Sequence, residues 1–213
     1  MSFRPPPPER VMLSGPAGLL EAVVEEPENY PGRRCAIVCH PHPLHGGTLT
    51  NKVVHVTARA LLERGYATIR FNFRGVGASA GSFDDGRGET DDALAVFGAA
   101  LERWPVARPT VAGFSFGAYV AYRVAAARPV EQLITIAPPV ARFDFHAWPV
   151  PSVPWLVIQG DADQVVDPVA VQAWTRELTP PPTVVMVAGA SHFFHGQLAP
   201  LREAVQSHLI GYD

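Results

Sequence analysis

Pro109-Thr110-Val111-Ala112-Gly113-Phe114-Ser115-Phe116-Gly117-Ala118 is where the chain declares its fold. A short β-branched run leads into a pentapeptide with glycine at both ends, and an Ala-rich stretch, apolar on most faces, continues to Ala127. A strand turning sharply into a helix here would hold Ser115 in a strained conformation at the strand tip, its hydroxyl outward and the helix N-terminus aimed at the same spot. Positions 113 and 117 must then be glycine, because a Cβ at either would strike the neighbouring strand or the returning helix. Gly-x-Ser-x-Gly alone recurs by chance in a Gly-rich chain; the strand before it and the helix after it are the context the motif requires.

A hydroxyl is a weak nucleophile without a base and a group to orient that base. Both follow downstream. The strand pattern Trp155-Leu156-Val157-Ile158-Gln159-Gly160 opens into Asp161-Ala162-Asp163, and the strand Thr183 to Val187 is followed by Ser191-His192-Phe193-Phe194-His195. Serine, aspartate and histidine arrive in that order, each in a loop just after a predicted strand, unlike the order in two other familiar types of serine hydrolase.

Ahead of the serine turn lie Cys39-His40-Pro41-His42-Pro43-Leu44-His45-Gly46-Gly47-Thr48, Asn51-Lys52-Val53-Val54 and Arg70-Phe71-Asn72-Phe73-Arg74-Gly75-Val76-Gly77-Ala78-Ser79. With these segments the chain resembles the α/β-hydrolase superfamily over nearly its whole length, and is similar to the small lidless bacterial hydrolases near the dienelactone hydrolase and serine aminopeptidase branches. The resemblance implies Ser115 as nucleophile, His192 rather than His195 as base, and Asp163 as acid, since the family spacing of glycine, two residues and aspartate lands there. Asp161 is the alternative acid and otherwise a loop-shaping acceptor. Asp167, just before Pro168, reads as a helix N-cap. An oxyanion hole is expected from the N–H of Phe116 and, in the loop after Ala36-Ile37-Val38-Cys39, from His42 with Leu44 as the alternative. Relatives carry His-Gly-x in that loop, whereas Pro41 and Pro43 here have no N–H to give. Asn72 stands where aspartate is usual in an Arg-Gly-x-Gly-x-Ser turn. Dienelactone hydrolases usually carry cysteine at the nucleophile position, so serine disfavours that chemistry.

Strands are expected at 11–14, 19–25, 34–39, 66–71, 110–113, 132–137, 155–159 and 183–187, and helices at 53–64, 89–103, 116–128, 168–177 and 197–208. A hairpin followed by β-α alternation predicts an α/β fold, a mostly parallel eight-stranded sheet with helices on both faces. The connection from Pro138 to Pro154 is too short to fold the lid that larger relatives insert there, so the site should be open. Phe83, Phe143, Phe145 and Trp148 are candidates for an aromatic wall binding substrate, although aromatics in such places are as often ordinary core.

At 213 residues and 47% hydrophobic, the chain is expected to form one domain over 1–213, with a Pro-rich extended tail at 1–9. A net charge of −3 offers no basic field for nucleic acid. The N-terminus lacks the apolar segment of a signal peptide, and no run of 18 apolar residues exists, so neither export nor membrane spanning is expected. Cys35 and Cys39, about 13 Å apart on one strand, cannot bond to each other and suit a reducing, cytoplasmic setting. The histidines at 40, 42 and 45 lack an accompanying His-Glu-x-x-His or carboxylate pair, so no metal is expected. Gly75-Val76-Gly77 lacks the third glycine and following helix of a dinucleotide loop, and no cofactor is expected. Glu89, Asp91 and Asp92 read as the acidic first turn of a helix.

Two function classes follow. One is a serine hydrolase acting on small-molecule esters or thioesters of small to medium acyl groups, with amide or peptide cleavage subsidiary. The other is a noncatalytic or scaffold use of the same fold.

Overall fold

The computed structural model describes residues 7–105 and 107–210. Their elements run β1 (Glu9–Gly15), β2 (Gly18–Glu25), β3 (Arg34–Cys39), α1 (Lys52–Glu63), β4 (Ala67–Phe71), α2 (Arg87–Arg103), β5 (Arg108–Phe114), α3 (Phe116–Ala127), β6 (Leu133–Ile136), β7 (Trp155–Gly160), α4 (Pro168–Glu177), β8 (Thr183–Val187) and α5 (Leu198–Ser207). Within these residues the strands form one eight-stranded sheet in the order β1-β2-β4-β3-β5-β6-β7-β8. β1 and β2 form an antiparallel hairpin and β2 pairs antiparallel with β4; every pairing from β4 to β8 is parallel. The expected tail at 1–9 falls mostly outside the described residues, and at its inner end it is corrected: Glu9 already pairs with Val24.

The parallel strands are apolar on both faces because helices cover both. In β3, Cys35, Ile37 and Cys39 face the core under α2, α3 and α4, while Ala36 and Val38 face the core under α1 and α5. The same two-residue alternation divides Trp155 and Val157 from Leu156 and Ile158 in β7. Both cysteines are free and buried.

The acidic group at 89–92 divides: Glu89 lies in the first turn of α2 as expected, whereas Asp92 is corrected. α2 starts at Arg87, and Glu89 is fully buried, its carboxylate accepting the N–H groups of Asp84 (2.9 Å) and Gly86 (2.7 Å). Asp92 is also buried and grips Arg74 through two side-chain bonds of 3.0 and 2.8 Å and the Arg74 N–H at 2.9 Å. Removing one partner of such a buried pair costs about 3–5 kcal/mol, so Asp92 holds the turn after β4, while Glu89 caps the start of α2.

Asn72 in that turn also has a reason. Its Oδ1 accepts the Leu49 N–H (2.8 Å) and its Nδ2 donates to Glu21 Oε2 (2.8 Å), tying the loop after β3 to β2. An aspartate could not donate to Glu21 and would set two carboxylates against each other. Among the described residues, no helix is long and apolar enough to cross a membrane.

Candidate active site

β5 ends at Phe114 and α3 begins at Phe116, leaving Ser115 alone in the turn with φ 54° and ψ −119°. A non-glycine residue at positive φ is strained and persists only where its surroundings hold it. Here they do: Ser115 N–H donates to Ile136 O at 2.8 Å, and Ser115 O accepts from Ala118 N at 2.8 Å. The flanking glycines are required by contact. A Cβ on Gly113 would lie 2.0 Å from Gly117 O, and one on Gly117 would lie 2.3 Å from Cys39 O on β3.

β7 and β8 bring the other two groups to the same edge. Past their last pair, Gly160 with Val187, the two loops stay zipped: Asp161 N donates to Val187 O (3.2 Å), Ala162 N to Ala190 O (3.1 Å), and Gly189 N to Asp161 Oδ1 (2.6 Å). Asp161 thus shapes the loop, and Asp167 caps α4 by accepting the Val169 N–H at 2.9 Å. The result is a hydrogen-bonded chain. Asp163 Oδ2 lies 2.8 Å from His192 Nδ1, and His192 Nε2 lies 3.2 Å from Ser115 Oγ. His195 is exposed, beyond Phe193, and takes no part in this chain.

Asp163 is surrounded by donors. Oδ1 accepts the N–H groups of Val165 and Val166, both at 2.8 Å, while Oδ2 also receives Gln159 Nε2 at 3.1 Å. Burial pushes the carboxyl up, but the hydrogen bonds from His192 and from the Val166 and Val165 amides outweigh it and leave the group below its ordinary value. An acid that stays ionised can fix the His192 tautomer with its proton on Nδ1, leaving Nε2 free to face the hydroxyl.

The loop after β3 is built differently. His40 is fully buried; with its Nδ1 2.6 Å from Pro41 O and its Nε2 3.1 Å from the Phe73 N–H, it is the neutral Nδ1–H tautomer. Burial lowers its pKa from 6.5 to about 4. The Leu44 N–H donates to His42 Nδ1 (3.2 Å), and the His45 and Gly47 N–H groups both donate to His42 O (3.0 Å each). The alternative oxyanion donor, Leu44, is therefore engaged within its own turn.

A cavity of about 370 Å³ opens over Ser115, lined by residues that include His42, Phe116, Phe143, Val165, His192 and Phe193. Of the four aromatics expected to form a wall, Phe143 lines it. Phe83 packs behind, its ring centroid 4.8 Å from that of His42 and 5.8 Å from that of Phe116. Phe145 and Trp148 are corrected to core and support. Phe145 is 2% exposed among Tyr119, Tyr122 and Trp174, and Trp148 covers the Arg123 guanidinium at 4.3 Å. They fasten the 138–154 connection to α3 and α4, where burying large rings gains more than leaving them at an open mouth.

Sequence reasoning missed Gln159, Arg142, Val165 and Phe193. Phe193, directly beside His192 in the chain and 46% exposed in the structure, was the most visible signal, through its place next to the candidate base. Gln159, a polar residue inside an otherwise apolar buried strand, was the other.

This fold and site define an α/β serine hydrolase without a lid. Among solved structures, an α/β serine hydrolase without lid from Xanthomonas campestris is 46% identical with a TM-score of 0.90, covering all of both chains. An α/β serine hydrolase homologue from Coxiella burnetii is 45% identical over 94% of this chain and 97% of its own, with a TM-score of 0.91. An uncharacterized protein of Rickettsia prowazekii (strain Madrid E) is 33% identical over 211 residues, 94% of this chain and 88% of its own length. The model of the X-Pro dipeptidyl-peptidase (S15) family matches residues 18–152, and the chain belongs to that family. The matched span includes Ser115 and stops before Asp163 and His192.

Proposed function

We propose that the protein hydrolyses carboxylic esters or thioesters of small to medium acyl groups through an acyl-enzyme on Ser115, with His192 as general base and acid and Asp163 as its partner. The observation that carries this reading is the continuous contact from Asp163 through His192 to Ser115 Oγ at 2.8 and 3.2 Å. In this mechanism His192 Nε2 takes the Ser115 proton as Oγ attacks the carbonyl carbon. The carbonyl oxygen, now negative, is held by the N–H groups of Phe116 and His42, each worth about 10²–10³ in rate. His192 then protonates the departing alcohol or thiol, and water, activated by the same nitrogen, releases the acid. Asp163 stays ionised and stabilises the imidazolium.

A cavity of about 370 Å³ bounded by Phe143, Val165 and Phe193 supports short and medium acyl chains. A substrate that small needs neither a nucleic acid nor a membrane surface to present it. The reading treats residues 1–213 as one domain acting in a reducing compartment such as the cytoplasm, where two free thiols suit the surroundings.

Family membership favours a second reading, cleavage of a peptide bond after proline. One panel separates the two: 4-nitrophenyl butyrate, 4-nitrophenyl decanoate and an Xaa-Pro 4-nitroanilide, each assayed with the Ser115→Ala protein alongside. The ester reading expects butyrate to exceed both others and to lose turnover in Ser115→Ala. Faster anilide cleavage would establish the peptidase instead, and turnover that survives Ser115→Ala would remove both.

A further inference from the structure

Resting on the acyl-enzyme reading above, we propose that Arg142 is a specificity residue that selects acyl groups ending in a carboxylate, so that the preferred substrates are half-esters of dicarboxylic acids. Arg142 lines the same cavity as Ser115, and among the described lining residues of that cavity there is no Asp or Glu. The guanidinium forms no ion pair and no side-chain hydrogen bond among the described residues. Neither nearby acid of its own surroundings, Asp144 or Asp167, pairs with it. Asp144 Oδ1 accepts the N–H groups of His146 (3.0 Å) and Ala147 (3.1 Å). Asp167, which shares a smaller adjoining depression with Arg142, caps α4.

The residue is also held in place. Its own N–H donates to Pro139 O at 2.9 Å, the Phe143 N–H reaches the same oxygen at 3.2 Å, and the Phe143 ring stacks on Tyr119 with centroids 4.8 Å apart. Two prolines and a stacked aromatic therefore fix the backbone from which the exposed cation projects, so that a ligand has only the side chain left to order. Its charge is felt at His42: burial first, then His45 and Arg142, hold that ring below its ordinary pKa against the pull of Asp85.

A guanidinium offers paired donors matched to a carboxylate. An acyl chain seated on Ser115 and crossing Phe143 and Val165 would end there. The same field disfavours a substrate whose free end is an ammonium group, as a dipeptidyl substrate requires. Hydrolysis of the half-ester consumes one water and releases the alcohol and a dicarboxylate.

The test compares mono-4-nitrophenyl adipate with its methyl ester, equal in shape at the reacting end and differing in one charge. The expected result is that the ratio of kcat/KM, half-ester over methyl ester, falls at least tenfold in Arg142→Ala, through KM, and further in Arg142→Glu. A ratio unchanged by Arg142→Ala, or a wild-type ratio below one, overturns the inference. Failure of the acyl-enzyme reading is distinguished by NMR titration of adipic acid monoanilide into Ser115→Ala and into Ser115→Ala/Arg142→Ala. If esters are not cleaved but binding weakens at least tenfold without Arg142, the anion site stands alone; no binding, or binding indifferent to Arg142, removes it.

Discussion

The loops after β3 and β8 each bury a histidine, and both rings make two hydrogen bonds, yet they are suited to opposite tasks. His40 gives Nδ1–H to a neutral carbonyl and fills Nε2 with a backbone N–H. Among the described residues it has no hydrogen-bonded counter-charge for an imidazolium, and its one lone pair is occupied by the Phe73 N–H, which protonation would have to displace. His192 sets Nδ1 against a carboxylate and Nε2 against a hydroxyl, the one partner that can surrender a proton. Burial alone therefore makes a strut; burial with an ionised acid on one nitrogen and an acidic proton on the other makes a base.

This contrast can be broken at several points. The largest effect belongs to the hydroxyl and the ring: Ser115→Ala and His192→Ala should each lower kcat by about 10⁶, and the double variant should be little worse, because the pair acts as a unit. Next is the acid, where Asp163→Asn should lower kcat by about 10⁴ while urea unfolding shows the fold retained. Asp161→Asn, which touches a loop amide, serves as its control; a larger loss there would reverse the acid assignment. In the β3 loop the backbone, not the ring, is expected to matter. His42 has φ −51°, within reach of proline, so His42→Pro should delete one N–H and cost about 10²–10³ in kcat, whereas His42→Ala keeps the donor and should cost far less.

The last prediction concerns stability. Folded His40 takes a proton only near pH 4, whereas the unfolded chain takes one near 6.5, so the unfolded state binds more protons between those values. Stability should be full above pH 6.5 and lose about 3 kcal/mol from this residue as pH falls to 4. Urea midpoints against pH should show a shallower decline in His40→Gln than in the parent; equal slopes would mean another group is responsible.

The alternation of strands and helices was legible because each strand carries its own apolar period and each helix its own start. β3, β8 and α4 have the expected bounds, and the elbow was legible because its glycines answer a steric demand local in sequence. Where prediction erred, the deciding partner was distant. α2 starts at Arg87 behind the N-cap Gly86, which has no side chain to announce it, and its Asp92 answers to Arg74, 18 positions back. Phe145 and Trp148 share composition with a pocket wall, and what separates wall from core is which rings of α3 and α4 lie beneath. Gln159 was invisible as a neighbour of Asp163 because a strand pattern registers one polar residue as an exception, not as a contact.

The pinned 138–154 connection has a kinetic meaning. With its rings anchored in the body of the protein, nothing over Ser115 among the described residues must swing aside before a molecule enters or leaves. On the acyl-enzyme reading proposed above, water would reach an acyl group on that oxygen with no gating step to set the rate.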